Sequence, residues 1–379
     1  MAGKKRSIYS CTFCEMPKNI FVSCMNCNAL VIYDKEKNKS CFVDRFPGEK
    51  NDSWRLHNYA IEHDNSIYFM PDRSKYIHIY NVEKSKFKKV LVNIEGRINA
   101  TYAVRIENYI VFASIEQKIM VLFEMDSHEL SYIKLPADAV LSMEIITKDG
   151  KVYLADKAKD CIYEYVLGEK DIKIIRIKAD GNGFGTISSD GKAIYLTSEN
   201  SIIVIGQSNI KKFSLNYPNG FGMHIIYQSK ERIITGFQDV EKRHEKPFAF
   251  SRWYEGKLLL FPFRTNMILE LDVRNDMSIS IMHINEEEEN IETLYSKQRI
   301  THCHYFPCSH TSGEKINFIS TCSKKLYIIE ENQEIKSYMI AIENMNDLYK
   351  GEDGYICRVE DKDDNLRDFI RDLLKEDKK

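Results

Sequence analysis

Long apolar runs are missing from this chain. Nowhere does it approach the ~20 consecutive apolar residues that a membrane helix needs, so no spanning helix is expected. Proline and glycine are sparse, at 8 and 17 of 379 residues, and the remaining composition is that of an ordinary globular protein. A charge excess is also lacking. Lys plus Arg number 54 against 56 Asp plus Glu, a net of −2, whereas recognition of nucleic acid or an anionic membrane takes a concentration of Lys and Arg. The terminal cluster GKKR at residues 3–6 is too short to supply one. Neither nucleic acid nor membrane is therefore expected as a partner. No apolar stretch follows those lysines to act as a signal peptide, and ten cysteines suit a reducing compartment that keeps them as thiols, so a cytoplasmic location is expected. Linear catalytic signatures are absent too: there is no nucleophile elbow, Walker loop, paired metal-binding His motif or carboxylate dyad.

What the chain has is a repeat. The stretch DNSIYFMPDRSKYIHIYNVEKSKFKKV, from Asp64, reads as a turn, a β-rich run, a polar turn, a second run, another turn and a third run. Seven such segments align on Tyr33, Tyr80, Phe123, Tyr165, Ile205, Leu271 and Ile329, with a further β-like run ahead of each. The first five are 40 to 47 residues apart and the last two intervals are 66 and 58. Four short strands rich in Ile, Val, Tyr and Phe, recurring at this period, predict an all-β, seven-bladed propeller. A lone four-stranded blade cannot cover its two apolar faces; blades packed in a closed ring cover both.

The pattern IYFMPDRSKYIHIYN at residues 67–81 resembles the blade motif of bacterial surface-layer-type and lactonase-type (YVTN-like) propellers, and more loosely that of kelch-like and NHL repeats. The resemblance covers about residues 8–343 and implies blades, not an activity. The Gly-His and Trp-Asp dipeptides of WD40 repeats and the Gly-Gly pair of kelch repeats do not recur. The propeller is expected over 1–345, with an insertion at 219–246 that reads as a protruding hairpin. A tail at 346–379 carries a helix over 365–376, whose face of Leu366, Phe369, Ile370, Leu373 and Leu374 is expected to pack on the propeller rim.

Two thiol groupings invite a metal. The stretch CTFCEMPKNIFVSCMNC holds two Cys-x-x-Cys pairs, and a four-thiolate zinc needs both pairs in turns that aim sulfurs at one point. Cys24 and Cys27 fit a turn. Cys11 and Cys14 lie in the first strand, where residues three apart point to opposite faces. A hairpin turn over residues 15–18 puts Cys14 opposite Asn19 and Cys11 opposite Val22, bringing Cys11 toward Cys24. A redox dithiol is also disfavoured, because the pair opens no helix that would lower a thiol's pKa. The second grouping, HCHYFPCSH at residues 302–310, falls in the first strand of the last blade, where alternation keeps its side chains from converging. No cofactor and no metal site are expected.

The remaining signals concern binding. GNGFG at residues 181–185 is followed by a strand rather than a helix, so it reads as a loop between blades and not a phosphate loop. The acidic run at 286–289 reads as solvated. In two blades the turn between the second and third strands carries a matching Pro-x-Arg-Ser/Thr: Pro71-Asp72-Arg73-Ser74 and Pro262-Phe263-Arg264-Thr265. In a propeller this turn shares a face with the entrance of the innermost strand. Trp54, Arg55, His57, Arg73 and Arg264 are therefore the candidate ligand-binding residues at the channel mouth. The expected function is a non-catalytic scaffold presenting that face to a protein, peptide or glycan. The alternative is a lactonase-like or lyase-like enzyme using a divalent cation in the channel, which needs several oxygen ligands on the axis. Glu144 is the one carboxylate in the seven presumptive innermost strands, which favours binding.

Overall fold

Alternating strands with greasy faces on both sides give seven four-stranded antiparallel sheets. A computed structural model describes residues 6–342 except 26, 180, 218–222, 228–229, 235–246, 263–267, 283–290, 293–297, 301–304, 311–314 and 321–324. Blade 1 comprises Ser10–Glu15, Asn19–Cys24, Leu30–Asp34 and Lys39–Asp44, and blade 2 comprises His57–His63, Ser66–Pro71, Tyr76–Asn81 and Lys86–Leu91. The innermost strands of blades 3 to 7 are Ala103–Ile106, Leu141–Lys148, Thr186–Ser189, Phe248–Tyr254 and Tyr305–His310. All seven aligned positions, Tyr33 to Ile329, lie in third strands. The chain is an all-β, seven-bladed propeller, with no helix among the described residues.

Seven separate apolar clusters fill the seven blade interfaces. Ile20 and Val22 pack toward blade 7 against Leu326 and Ile328, while Phe21 between them packs toward blade 2 against Ala60 and Phe69. Leu258 and Leu260 pack toward blade 5, and Leu259 and Phe261 toward blade 7. This is the period of two along a strand sandwiched between two neighbours. The outermost strands instead face solvent, as the exposed and half-buried residues of Lys86–Leu91 show.

The ring is closed twice. Residues from blades 1 and 7 share one core cluster, and Arg6–Ser7 pairs antiparallel with Ala341–Ile342, Ile8 donating its amide to the carbonyl of Ile340 at 3.0 Å. On the axis, the inner strands of blades 7 and 2 pair in parallel, Ser309 with Ala60 and His310 with Ile61.

Three expectations are corrected or extended. The first hairpin turns one residue later, with Met16 donating to the carbonyl of Asn19 at 2.8 Å. Cys14 therefore faces Phe21 rather than Asn19. Thr12 faces Ser23 and Ser10 faces Cys24, which leaves Cys11 as an extra residue in a bulge rather than opposite Val22. Of the His-Cys stretch, Tyr305–His310 lies in the last inner strand as expected, and 302–304 lie outside the described residues. In the 219–246 insertion, Met223–Tyr227 and Lys230–Ile234 form the hairpin; Gln298–Ile300 adds to it and Ile291–Glu292 completes a separate four-stranded sheet. The helix at 365–376 and the acidic run at 286–289 lie outside the described residues.

Candidate functional site

Because strands alternate in direction, each innermost strand begins at the face where the turn between second and third strands lies. Trp54 and Arg55 end the connection into His57–His63, and Arg73 sits in the turn after Ser66–Pro71. Backbone bonds tie the two together: Asp72 donates to the carbonyl of Leu56 at 2.8 Å and Arg73 to that of Arg55 at 3.2 Å. The Arg73 guanidinium lies 3.9 Å from the centre of the Trp54 ring, with that of Arg55 at 5.8 Å. Arg55 holds φ at 49°, a left-handed conformation uncommon for a residue with a long side chain, and it lies in a connection rather than a tight hairpin.

Beneath this stack is a fully buried carboxylate, Asp72. Arg97 grips it with Nε at 2.5 Å and Nη2 at 3.0 Å, and Arg55 reaches the same group with Nη2 at 3.2 Å. Such fork contacts fix guanidinium planes as well as charge. Three guanidiniums thus gather around one carboxylate and one indole. Sequence reasoning named Trp54, Arg55 and Arg73 but missed Arg97, which sits in a connection with no motif around it. Arg264 lies outside the described residues.

His57 is placed elsewhere, in the core between blades 1 and 2 with no exposed surface. Its Nδ1 is 2.8 Å from Ser23 Oγ and its Nε2 is 2.8 Å from Nδ1 of His78, whose Nε2 is 3.1 Å from the carbonyl oxygen of Pro47. A carbonyl only accepts, so His78 donates to it, accepts from His57, and His57 accepts from Ser23. Every proton in this chain is assigned with both rings neutral. Burial holds the His57 imidazole well below its usual pKa and lowers that of His78 to about 4.

The axis carries the second polar centre. Between Leu141 and Ile145 the innermost strand of blade 4 bulges, so that Ser142, Met143 and Glu144 stand against Ala155 alone. The bulge turns Glu144 inward, where its buried carboxylate accepts from the amides of Ile187 (3.0 Å) and Ser251 (2.9 Å), from Ser251 Oγ (3.1 Å) and from Arg252 Nη1. The Arg252 guanidinium lies 4.1 Å from the centre of the Tyr102 ring of blade 3. Burial pushes the Glu144 carboxyl up to about 7, the guanidinium and the other donors pulling against it. Glu144 was visible as an isolated inner-strand acid; its partner Arg252 was not.

Cys24 and Cys27 are buried at the turn between the second and third strands of blade 1, and the half-buried Cys11 lies in the bulge of the first strand. Cys14 packs apart from them, in the core shared with blade 2. Among the described residues, no group of three or more His, Cys, Asp or Glu side chains is placed to hold a metal ion. The GNGFG loop does bind an anion through backbone amides, but the anion is internal: Gly181 and Gly183 donate to the two carboxylate oxygens of Asp160 at 2.6 and 2.9 Å.

No protein-family model matches the chain, and no curated protein does. Solved structures do match. Virginiamycin B lyase from Staphylococcus aureus is 13% identical over 89% of this chain and 99% of its own, with a TM-score of 0.56. A structure of U3-55K is 9% identical over 89% and 93%, with a TM-score of 0.52. A streptogramin B lyase is 14% identical over 74% and 82%, with a TM-score of 0.51. At these identities the likeness shows the propeller fold alone.

Proposed function

We propose that the protein is a non-catalytic binding scaffold whose strand-entrance face captures a carboxylate-bearing segment of a protein or peptide partner. The observation that carries this is the Arg73 guanidinium stacked on Trp54, beside Arg55 and Arg97 already oriented by Asp72. Forked donors held in fixed planes next to an indole suit carboxylates flanked by apolar or aromatic groups. A reducing, cytoplasmic setting belongs to the same proposal, in which buried Cys14, Cys24, Cys27 and Cys161 serve as small apolar groups. An enzyme using a divalent cation in the channel would need several acidic or His ligands around it. The structure puts Glu15 and Glu62 in inner strands as well as Glu144; Glu144 is engaged by Arg252, Ser251 and Ile187, and Glu15 by Lys35 and Lys315.

Selection of a random peptide library on the immobilised full chain tests this, with a sugar array run in parallel to separate a peptide from a glycan ligand. The expected result is enrichment of Asp- or Glu-containing peptides, lost in Trp54→Ala and Arg73→Glu while circular dichroism is unchanged. Enrichment indifferent to both substitutions, or binding only to sugars, overturns it.

A further inference from the structure

Blade 2 carries an open edge that leads to the candidate face. Its outermost strand, Lys86–Leu91, pairs with Tyr76–Asn81 over six residues in regular register, and among the described residues no further strand lies beyond it. It is the longest regular outer edge of the ring and the most basic, with Lys86, Lys88 and Lys89 and no acid; the other described outermost strands hold two cations at most. Side chains alternate along it. Val90, with Lys86 and Lys88 on its side, packs into the core shared with blade 3; Phe87, with Lys89 and Leu91 on its side, packs into the core shared with blade 1. Leu91 is 57% exposed although apolar. The strand runs up the wall to the turn that carries Arg73. Leu91 stands opposite Tyr76, and the Lys89 ammonium lies 4.4 Å from the centre of the Tyr76 ring. Beyond Leu91 the amide of Val92 donates to the carbonyl of Lys75 at 2.8 Å, Lys75 Nζ to that of Ile94 at 3.1 Å, and the amide of Asn99 to that of Asp72 at 3.1 Å. The same connection brings Arg97 to Asp72. The basic edge thus ends where the guanidinium cluster begins.

We infer that the partner segment held at Trp54 and Arg73 continues in extended form over Leu91 and adds to Lys86–Leu91 as a fifth strand of blade 2, with acidic side chains on one side and apolar ones on the other. The edge site stands on its own charge and register; its continuation from the face rests on the binding role proposed above. An unpaired edge offers backbone donors and acceptors to an extended chain, and lysines along it guard against the wrong one. Here that guard selects. Two copies of this edge would set Lys against Lys, whereas a guest with Asp or Glu at alternate positions sets carboxylates against Lys86 and Lys88, and apolar side chains against Phe87 and Leu91. The net charge of the chain is only −2, so the attraction is local to this strand. A nucleic acid would satisfy the charges but not the row of backbone groups or the exposed Leu91. The edge is about 20 Å long and the inner and outer strands of a blade lie about 14 Å apart, so about ten extended residues reach from Arg73 to Lys86.

The test uses a fluorescein-labelled synthetic peptide of about ten residues in which Glu alternates with Val, bound to the full chain and read by polarisation and by hydrogen–deuterium exchange. The amides of Lys86–Leu91 are expected to exchange more slowly with the peptide bound. Charge reversal at two exposed positions, Lys86→Glu with Lys88→Glu, is expected to weaken binding on the order of tenfold while the thermal midpoint stays the same. Methylating alternate peptide amides gives two phases, one of which removes the donors that face the edge; that phase is expected to lose binding and the other to keep it. Binding that is indifferent to the charge reversal, or kept in both phases, overturns the inference. Slowing by a charge-matched oligonucleotide, or in the chain alone as its concentration rises, names a nucleic acid or a second copy as the occupant and also overturns it. Slowing at 86–91 that persists in Trp54→Ala leaves the edge site standing and refutes its continuation from the face. Binding that Trp54→Ala abolishes, with no slowing at 86–91, keeps the face and overturns the edge.

Discussion

His78 backs His57: Nε2 of His57 donates to Nδ1 of His78 at 2.8 Å, and Nε2 of His78 donates to the carbonyl of Pro47 at 3.1 Å. A proton added to Nδ1 of His78 meets the N–H of His57, and one added to Nδ1 of His57 forces the Ser23 hydroxyl to turn and accept, in both cases placing a charge in a fully buried core. Both rings have pKa values below the unfolded value near 6.5, so as pH falls the unfolded chain takes up protons that the folded chain refuses. Stability should therefore decline from about pH 6.5 to about pH 4, His78 alone contributing on the order of 3 kcal/mol. Urea midpoints across this range check it. His78→Gln should flatten the acid slope, and a slope as steep as that of the parent counts against the neutral chain.

Glu144 works with the opposite sign. Its folded pKa, about 7, lies above the unfolded value near 4.5, so the folded state holds the proton more tightly and the carboxyl contributes stability at low pH that is lost as pH rises from about 4.5 to about 7. It thus offsets the histidines over nearly the same window. Glu144→Gln should steepen the acid loss where His78→Gln flattens it. Parallel slopes in the two variants would be inconsistent with this opposition.

The ion pair on the axis has its own signature at fixed pH. Arg252→Met leaves a buried carboxylate without its guanidinium and should cost about 3–5 kcal/mol. The double variant Glu144→Leu with Arg252→Met removes both charges and should recover much of that loss, because well-packed apolar groups often match a buried pair. A double-mutant cycle by chemical denaturation measures the coupling. Additive losses would show that the two side chains do not stabilise the axis through each other.

The ring was legible because its driving pattern is local and repeated: Ile20, Phe21 and Val22 alternate between two neighbours, and so do Leu258, Leu259 and Leu260. Slipping the first hairpin by two residues left Phe13 and Cys14 on their faces, since the side-chain period is also two. The bulges were not legible. They add residues at the entrances of inner strands, at Cys11 and at 142–144, where no turn signal marks them, and they re-aim the side chains that make up the polar centres. Trp54, Arg55 and Arg73 could be grouped because propeller topology places turns and strand entrances on one face. His57 looked like part of that group because its burial depends on the later partner His78, and Arg97 stayed hidden because a connection has no period.

Gly183 separates backbone need from ligand binding. A Cβ there would lie 2.4 Å from the carbonyl carbon of Lys157, and φ is +69°, so Gly183→Ala meets both a clash and a disfavoured dihedral. The loss should exceed about 1 kcal/mol. Gly181, also at positive φ but with nothing near its Cβ, should cost less when changed to Ala. Thermal midpoints of the two variants give the comparison, and equal losses would assign the whole effect to the dihedral.

Asp72 orients two of the three guanidiniums on the candidate face, so its removal should damage binding before fold. Asp72→Asn keeps the shape and an acceptor oxygen but takes away the charge that Arg55 and Arg97 share; the expected cost is about 1–3 kcal/mol. Capture of acidic peptides should fall by more than stability does, because the forks lose their fixed planes. Retained capture in a variant destabilised by that amount would show that Asp72 supports the fold without setting the site.

The closing clasp makes the last prediction. Arg6–Ser7 pairs with Ala341–Ile342, and Ile8, only 5% exposed, belongs to the core cluster between blades 1 and 7. A propeller without closure exposes the faces of its first and last blades together. Deleting residues 1–8 removes the strand pairing and the buried Ile8 side chain, which alone is worth about 2 kcal/mol. Ile8→Ala keeps the pairing and should lose only the side-chain part. Urea midpoints should therefore rank the parent above Ile8→Ala and Ile8→Ala above the deletion. Identical midpoints for the two variants would mean that the seam is held by blade packing, with the short strand pair adding nothing.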